Sequence, residues 1–476
     1  MRGGQGVTGD EAPGEQVAVP AGGDVEAVKA SPGEAGGGAD VAGSRPGRRT
    51  VAASMVGTVL EWYDFNLYGF AAAVVLGEQF FPRTSPTARV LASFATFAAG
   101  FAARPVGGLL FGHFGDRLGR ARMLVVTMVV TGCSSALLGL LPTYRQAGWP
   151  APVGLVVLRV VQGVGVGGEF AGAALMTMEN APPGRRGFFG AVPAMGTGAG
   201  FVLAAAAFAL AARLPGQALM AWGWRLPFLG SLVLVAFGLL VRRRLPETAE
   251  FTARARARGR AETSLLTAVR GCPGAVVRTM GVSVSCFIWG YMIQGFVVHY
   301  GATELHIARS TLLWALAVAS AVSIGTLPMW GAASDRWGRR TVITVGLVGT
   351  VAYAWPFFAL LHTRSPLWIL VALVVALPVL RDLVFAPQVA LCAEMFDTGV
   401  RYTGLSAGRE FAGALSGGTA PFVATALHAA THRVWPVVCY VVAGCAVTAV
   451  AVLLPTSRPG GDAHGPVRAV PGQGRG

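Results

Sequence analysis

Glu61 and Asp64 stand three residues apart in a stretch that is otherwise almost wholly apolar, which puts both carboxylates on one face of a helix. A carboxylate in apolar surroundings resists ionisation, and an approaching arginine reverses that preference. An acid that meets the two conditions in turn takes up and releases a proton. An acid held in one condition only braces a neighbouring helix. Arg104 and Arg159 lie in later apolar stretches as possible counter-charges, and Glu169 follows Arg159 by ten residues, about three helical turns along. Glu61, Asp64, Arg159 and Glu169 are thus the candidate proton-coupling residues, with static ion pairing as the competing reading.

Two adjacent pairs, Arg381-Asp382 and Arg409-Glu410, also fall within apolar runs. Neighbours on a helix point about 100° apart, so the two members of a pair are not expected to face one spot. A cross-helix structural quartet is one use for them and anchoring of a polar ligand is the other. Each arginine comes with an acid, which leaves the local charge at zero. Tyr63, Asn66, Tyr291, Gln294 and His299 add neutral hydrogen-bonding groups. The candidate ligand-binding residues are Arg104, Tyr63, Tyr291, Gln294, His299, Arg381, Arg409 and Glu410. No nucleophile triad, phosphate-binding loop or metal-ligand spacing is visible, so an enzyme, a metal and a cofactor are not expected. The six cysteines show no paired spacing and read as small core residues.

The elements that must position these groups are apolar spans. Charged residues make up only 13% of the chain, apolar ones 53%, and mean hydropathy is +0.57, whereas a soluble domain carries about a quarter charged residues. Runs of ~20 apolar residues are long enough to cross a bilayer as helices. About twelve are expected, centred near Trp62, Phe97, Val130, Val161, Gly200 and Leu234, then near Trp289, Leu316, Gly349, Val375, Gly413 and Ala446. The net charge of +15 is almost entirely arginine, Lys29 being the sole lysine. Arginine clusters in alternate loops: Arg117, Arg120 and Arg122; Arg185 and Arg186; Arg242, Arg243 and Arg244; Arg336, Arg339 and Arg340. That alternation marks topology and excludes a nucleic-acid partner.

The expected organisation is a disordered cytoplasmic tail over 1–48, a six-helix bundle over 49–242 and a cytoplasmic linker over 243–274. A second bundle over 275–455 and a cytoplasmic tail over 456–476 complete it. Both termini face the cytoplasm of a multi-pass plasma-membrane protein.

The halves repeat each other. Gly112-His-Phe-Gly-Asp116-Arg117-Leu-Gly119-Arg120 recurs as Gly331-Ala-Ala-Ser-Asp335-Arg336-Trp-Gly338-Arg339-Arg340, and 219 residues separate Asp116 from Asp335. Glu179 with Arg186 recurs as Glu394 with Arg401 at a spacing of 215 residues. Parallel repeats around a central site are a transporter architecture.

These residues resemble the major facilitator superfamily, whose signature loop is G-x-x-x-D-R-x-G-R-R/K, and more narrowly its metabolite:proton symporters. The matching stretches include Glu61-Trp-Tyr-Asp-Phe65, Arg104-Pro-Val-Gly-Gly108, Arg159-Val-Val-Gln-Gly163, Trp222-Gly-Trp-Arg-Leu-Pro-Phe228, Glu394-Met-Phe396 and Arg401-Tyr-Thr-Gly404, over roughly residues 50 to 455. The resemblance implies an all-α membrane protein of two pseudo-symmetric six-helix bundles, alternating in access. It implies proton-coupled uptake of a small polar, anionic metabolite, and at Arg159, Gln162 and Gly163 a motif linked to proton coupling; a monomer is expected. Export by proton antiport and a non-transporting sensor remain the rival functions. Gly112, Asp116, Arg117, Arg120, Gly331, Asp335, Arg336 and Arg339 read as gates: glycine lets helices approach, Asp accepts from a helix N-terminus, and Arg pairs with an acid. Glu179, Arg186, Glu394 and Arg401 are the expected partners in that gate.

Overall fold

Backbone N–H and C=O groups in lipid must be satisfied within the segment, so apolar runs of this length fold as helices. The computed structural model describes residues 48–118, 120–167, 169–179, 181–242, 271–396 and 401–454. The tail over 1–47, most of the 243–274 linker and the C-terminal tail lie outside the described residues. So do the side chains of Gly112, Asp116, Arg117, Arg120, Glu169 and Glu179.

Twelve helical spans and no strand occur among the described residues. The first six are α1 (Arg48–Ala71), α2 (Pro86–Leu118), α3 (Arg120–Leu140), α4 (Pro150–Val166, resuming as Glu169–Glu179), α5 (Arg186–Ala211) and α6 (Arg225–Arg242). The second six are α7 (Pro273–Met292), α8 (Arg309–Trp337), α9 (Arg339–His362), α10 (Pro366–Ala393), α11 (Arg401–Ala412, resuming as Ala420–Thr431) and α12 (Trp435–Leu453). Every expected span centre falls on one of them, Gly413 on the π turn between the two segments of α11. Among the described residues eight helices are long and apolar enough to cross a membrane, or nine if the bent pair ending in α6 counts as one. α1 and α11 fall below that threshold while carrying buried charges, Glu61 and Asp64 on α1, Arg409 and Glu410 on α11.

The repeat is visible in the packing. In the first bundle α1 packs on α5 and α6, and α4 on α2 and α3, with α3 also on α6. Six helices on, α7 packs on α11 and α12, and α10 on α8 and α9, with α9 also on α12. The contacts between bundles obey the same relation, α5 against α8 and α2 against α11. α1 and α7 each continue into a π turn, Ala72–Leu76 and Ile293–Val297, and these turns pack against each other at one end of the interface. Further π turns lie at Val375–Arg381 in α10 and Gly413–Gly417 in α11, beside the two adjacent charged pairs. A π turn is uncommon and tends to mark functional positions.

At the opposite end α5 and α8 touch through backbone. A Cβ on Gly331 would lie 2.6 Å from the Gly187 carbonyl oxygen, and one on Gly187 would lie 2.5 Å from that of Gly331. Only glycine at both positions allows that approach.

Candidate functional site

The buried charges gather where α1, α2, α4, α7, α10 and α11 converge. Arg104 of α2 is 3% exposed and donates from Nε to Glu410 Oε2 of α11 at 2.5 Å and from Nη2 to Oε1 at 3.3 Å. The same Nη2 lies 3.6 Å from Glu61 Oε1 of α1. One cation of the first bundle is therefore shared between an acid of its own bundle and an acid of the other. Its guanidinium also lies 5.3 Å from the ring centres of Phe65 and Phe101.

Asp64 sits 60° further round α1 at ~100° per residue and faces into the first bundle. It accepts a hydrogen bond from Ser231 of α6, and the Ser135 hydroxyl of α3, which accepts from Gln162, lies beside it. Among the described residues no cation lies within ion-pair distance of it. Asp64 and Glu61 both line one narrow cavity with Thr131, Ser231 and Val235, so the shared helix face is real while the partners differ.

Arg159 of α4 is fully buried, donates to Gln162, and lies 4.2 Å from the ring centres of both Phe65 and Tyr68. Its Nε and Nη2 have no hydrogen-bond partner among the described residues. The helical count from Arg159 to Glu169 does not hold, because α4 breaks at Gly167, whose ψ of 118° is extended. The next helical segment starts at Glu169.

Arg409 of α11 is 2% exposed, and none of its three guanidinium nitrogens has a hydrogen-bond partner among the described residues. Phe170 of α4 lies 3.9 Å from it, and Phe287 of α7 and Phe385 of α10 lie 5.2 Å away. Arg381 does not join it in a cross-helix quartet. Arg381 curls back onto its own neighbour, Nε and Nη2 reaching Asp382 Oδ1 at 2.8 and 2.6 Å. The long arginine side chain thus overcomes the 100° divergence expected of adjacent positions. Thr326 of α8 donates to Asp382 at 3.1 Å and Ser323 lies 3.4 Å from Arg381, which makes the pair a brace between α8 and α10.

Tyr291 of α7 inserts among aromatics of the first bundle, edge-on to Phe101 at 4.9 Å and stacked on Trp62 at 6.2 Å. Its hydroxyl is buried and unpartnered among the described residues. Tyr63 instead donates to the Pro227 carbonyl at 2.7 Å and belongs to the α1–α6 contact. Gln294 is buried on the α7 π turn, and His299 is half-buried one turn beyond, toward the end where α1 and α7 meet.

At the other end the Asp335 carboxylate accepts from the backbone N–H groups of Gly187 and Phe188 at 2.7 and 2.9 Å. It caps the first turn of α5, where unpaired donors and the helix dipole favour an anion. Arg339 pairs with Glu394 and lies 3.9 Å from Asp335. Arg186 and Arg336 are exposed, and Arg401 donates to the Phe396 carbonyl at 3.4 Å. Ser135, Ser231, Phe170, Phe287 and Phe385 were not singled out by sequence reasoning. Serine and phenylalanine recur throughout apolar spans, so nothing local marks them.

Residues 50–279 match the family described as sugar (and other) transporters, and residues 280–473 match the major facilitator superfamily. The shikimate transporter of Escherichia coli is 38% identical over 412 residues, covering 86% of this chain and 94% of that one. The inner membrane metabolite transport protein YhjE of Escherichia coli is 36% identical over 413 residues, 85% and 93% of the two chains. Among solved structures a D-xylose–proton symporter superposes with a TM-score of 0.65 at 19% identity, covering 84% of this chain and 96% of that one. These relatives and neighbours are transporters and not enzymes.

Proposed function

The chain belongs to the major facilitator superfamily of metabolite transporters, and we propose that it takes up a small polar, anionic metabolite together with protons. It is a multi-pass membrane protein; on this reading both tails and the Asp335 turn face the cytoplasm. The observation that supports coupling best is Arg104, held between Glu61 of one bundle and Glu410 of the other. Parting of the bundles on the α2–α11 side breaks the Glu410 contact and leaves Arg104 to Glu61, so charge state and bundle position depend on each other. Three buried arginines, Arg104, Arg159 and Arg409, against three buried acids, Glu61, Asp64 and Glu410, give a neutral cluster. An entering monoanion keeps the cluster neutral when one proton accompanies it.

The test is uptake into proteoliposomes with an imposed pH gradient, shikimate first and then a panel of mono-, di- and tricarboxylates and betaines. Accumulation is expected only with the acidic side outside and should vanish with a protonophore. Accumulation without a pH gradient, or of uncharged solutes alone, overturns the reading.

Asp335 and the Gly187–Gly331 contact act as the cytoplasmic gate. Asp335→Asn removes the charge that caps α5, a loss of about 1 kcal/mol from the closed end. Equilibrium substrate binding in detergent is expected to stay near wild type while the transport rate falls several-fold. Lost binding with unchanged cysteine accessibility at that end would assign Asp335 to the ligand site instead.

A further inference from the structure

Among the described residues, Arg409 is the buried cation whose hydrogen-bonding capacity is entirely unused. Five N–H donors in a planar fork match a carboxylate through two parallel bonds, and a buried guanidinium that meets no acceptor is costly to keep. Arg104 is engaged by two carboxylates and Arg381 by one. Arg159 has Gln162 and two close rings. Arg409 has rings and, among the described residues, no hydrogen-bond acceptor. It packs with Phe170, Ser283, Gln388 and Cys392 around a gap that is closed to water in this state and opens only as the bundles part; there Gln388 donates to Ser283 and accepts from Cys286. Phe170 and its neighbour Ala171 come from the first bundle and the other lining residues from the second.

We propose that Arg409 is the subsite for the substrate's carboxylate, on the cytoplasmic side of the Arg104–Glu410 bridge. The carboxylate takes the guanidinium fork, and Ser283 and Gln388 supply the next polar contacts to the substrate body. The inference rests on the anionic-substrate reading above and adds which arginine receives the anion and where. Phe170 and Phe385 stack with ring centres 6.0 Å apart across the bundle interface. Release toward the cytoplasm requires that stack to part as the α4 and α10 halves of the interface separate. Glu410, next to Arg409 on the helix, holds Arg104 while the substrate holds Arg409, so filling the subsite leaves the bridge intact.

The experiment uses full-length protein in proteoliposomes, with shikimate and its uncharged amide as the paired probes. If shikimate is not carried, the pair is the carboxylate found in the uptake panel and its amide. Wild type is expected to prefer the acid over the amide by about 100-fold in kcat/KM, since two charge-assisted hydrogen bonds are at stake. Arg409→Gln should raise KM for the acid by a similar factor and bring the preference within about threefold. Arg409→Lys keeps the charge but not the fork, and should fall between the two. Retained transport of the amide by Arg409→Gln shows that the variant is folded.

A folded Arg409→Gln protein with an unchanged KM for the acid overturns the subsite while leaving anion uptake standing. Wild type that carries the amide as well as the acid overturns the anionic reading itself. If Arg409→Gln carries neither probe, Arg409→Lys decides. Recovery of acid transport with a raised KM supports the carboxylate contact, and an unchanged KM removes it.

Discussion

Arg104→Met is expected to lower stability by about 3–5 kcal/mol and to abolish transport, because it strands Glu61 and Glu410 without their shared cation. Breaking one side of a buried ion pair costs that much, whereas removing all partners together is often neutral. The triple variant Arg104→Met, Glu61→Gln, Glu410→Gln should therefore recover most of the lost stability and still transport nothing. Unfolding midpoints in detergent read the first effect and proteoliposome uptake the second. The geometry explains the size: Arg104 is 2.5 Å from Glu410 and 3.6 Å from Glu61, and all three are buried. An Arg104→Met protein as stable as wild type would mean that the acids are protonated already and the bridge carries no charge.

Asp64→Asn is expected to abolish pH-driven accumulation and to leave exchange of substrate across the membrane, which needs no net proton movement. Asp64 is held by the hydroxyl of Ser231. A serine hydroxyl donates to a carboxylate and accepts from a carboxylic acid, so the same partner serves both protonation states. Glu61 is tied instead to Arg104, which fits only its charged form. One pH unit corresponds to ~1.4 kcal/mol, enough for about tenfold accumulation at one proton per substrate. Asp64→Asn should bring that ratio to one, while Glu61→Gln, which loosens the bridge, should slow uptake but keep a ratio above one. If both variants and their double still accumulate substrate under a pH gradient, the proton site lies elsewhere. Glu410 is then the next acid to test, followed by Glu169 and Asp382.

The positions of the helices were legible because the signal is local. A run of about twenty apolar residues commits its own backbone to a helix in lipid whatever its neighbours do. The two-fold repeat was legible for a similar reason: Asp116 and Asp335 stand in matching motifs, which fall in the last turns of α2 and α8. Partner choice was harder. Arg381 and Asp382 suggested faces about 100° apart, yet the flexible arginine folds onto its neighbour. The run from Arg159 to Glu169 looked like one helix, yet Gly167 interrupts it. Glycine tolerates either course, and the choice is made by α2, whose backbone lies where a Cβ on Gly167 would be, 2.3 Å from the Arg104 carbonyl oxygen.

By itself, then, the sequence determined that this chain is an all-helical membrane protein in two related halves, with rare charges in spans that cannot hold them idly. Hydropathy, arginine alternation and repetition are all properties of contiguous residues. Only the tertiary structure decided which charge meets which. Arg104 and Glu410 are 306 residues apart, and Asp335 reaches the start of α5 from 147 residues away. Such pairings depend on which helix faces converge across the bundle interface. That convergence is set by packing over the whole molecule, as at Gly187 and Gly331, and no local stretch of sequence carries it.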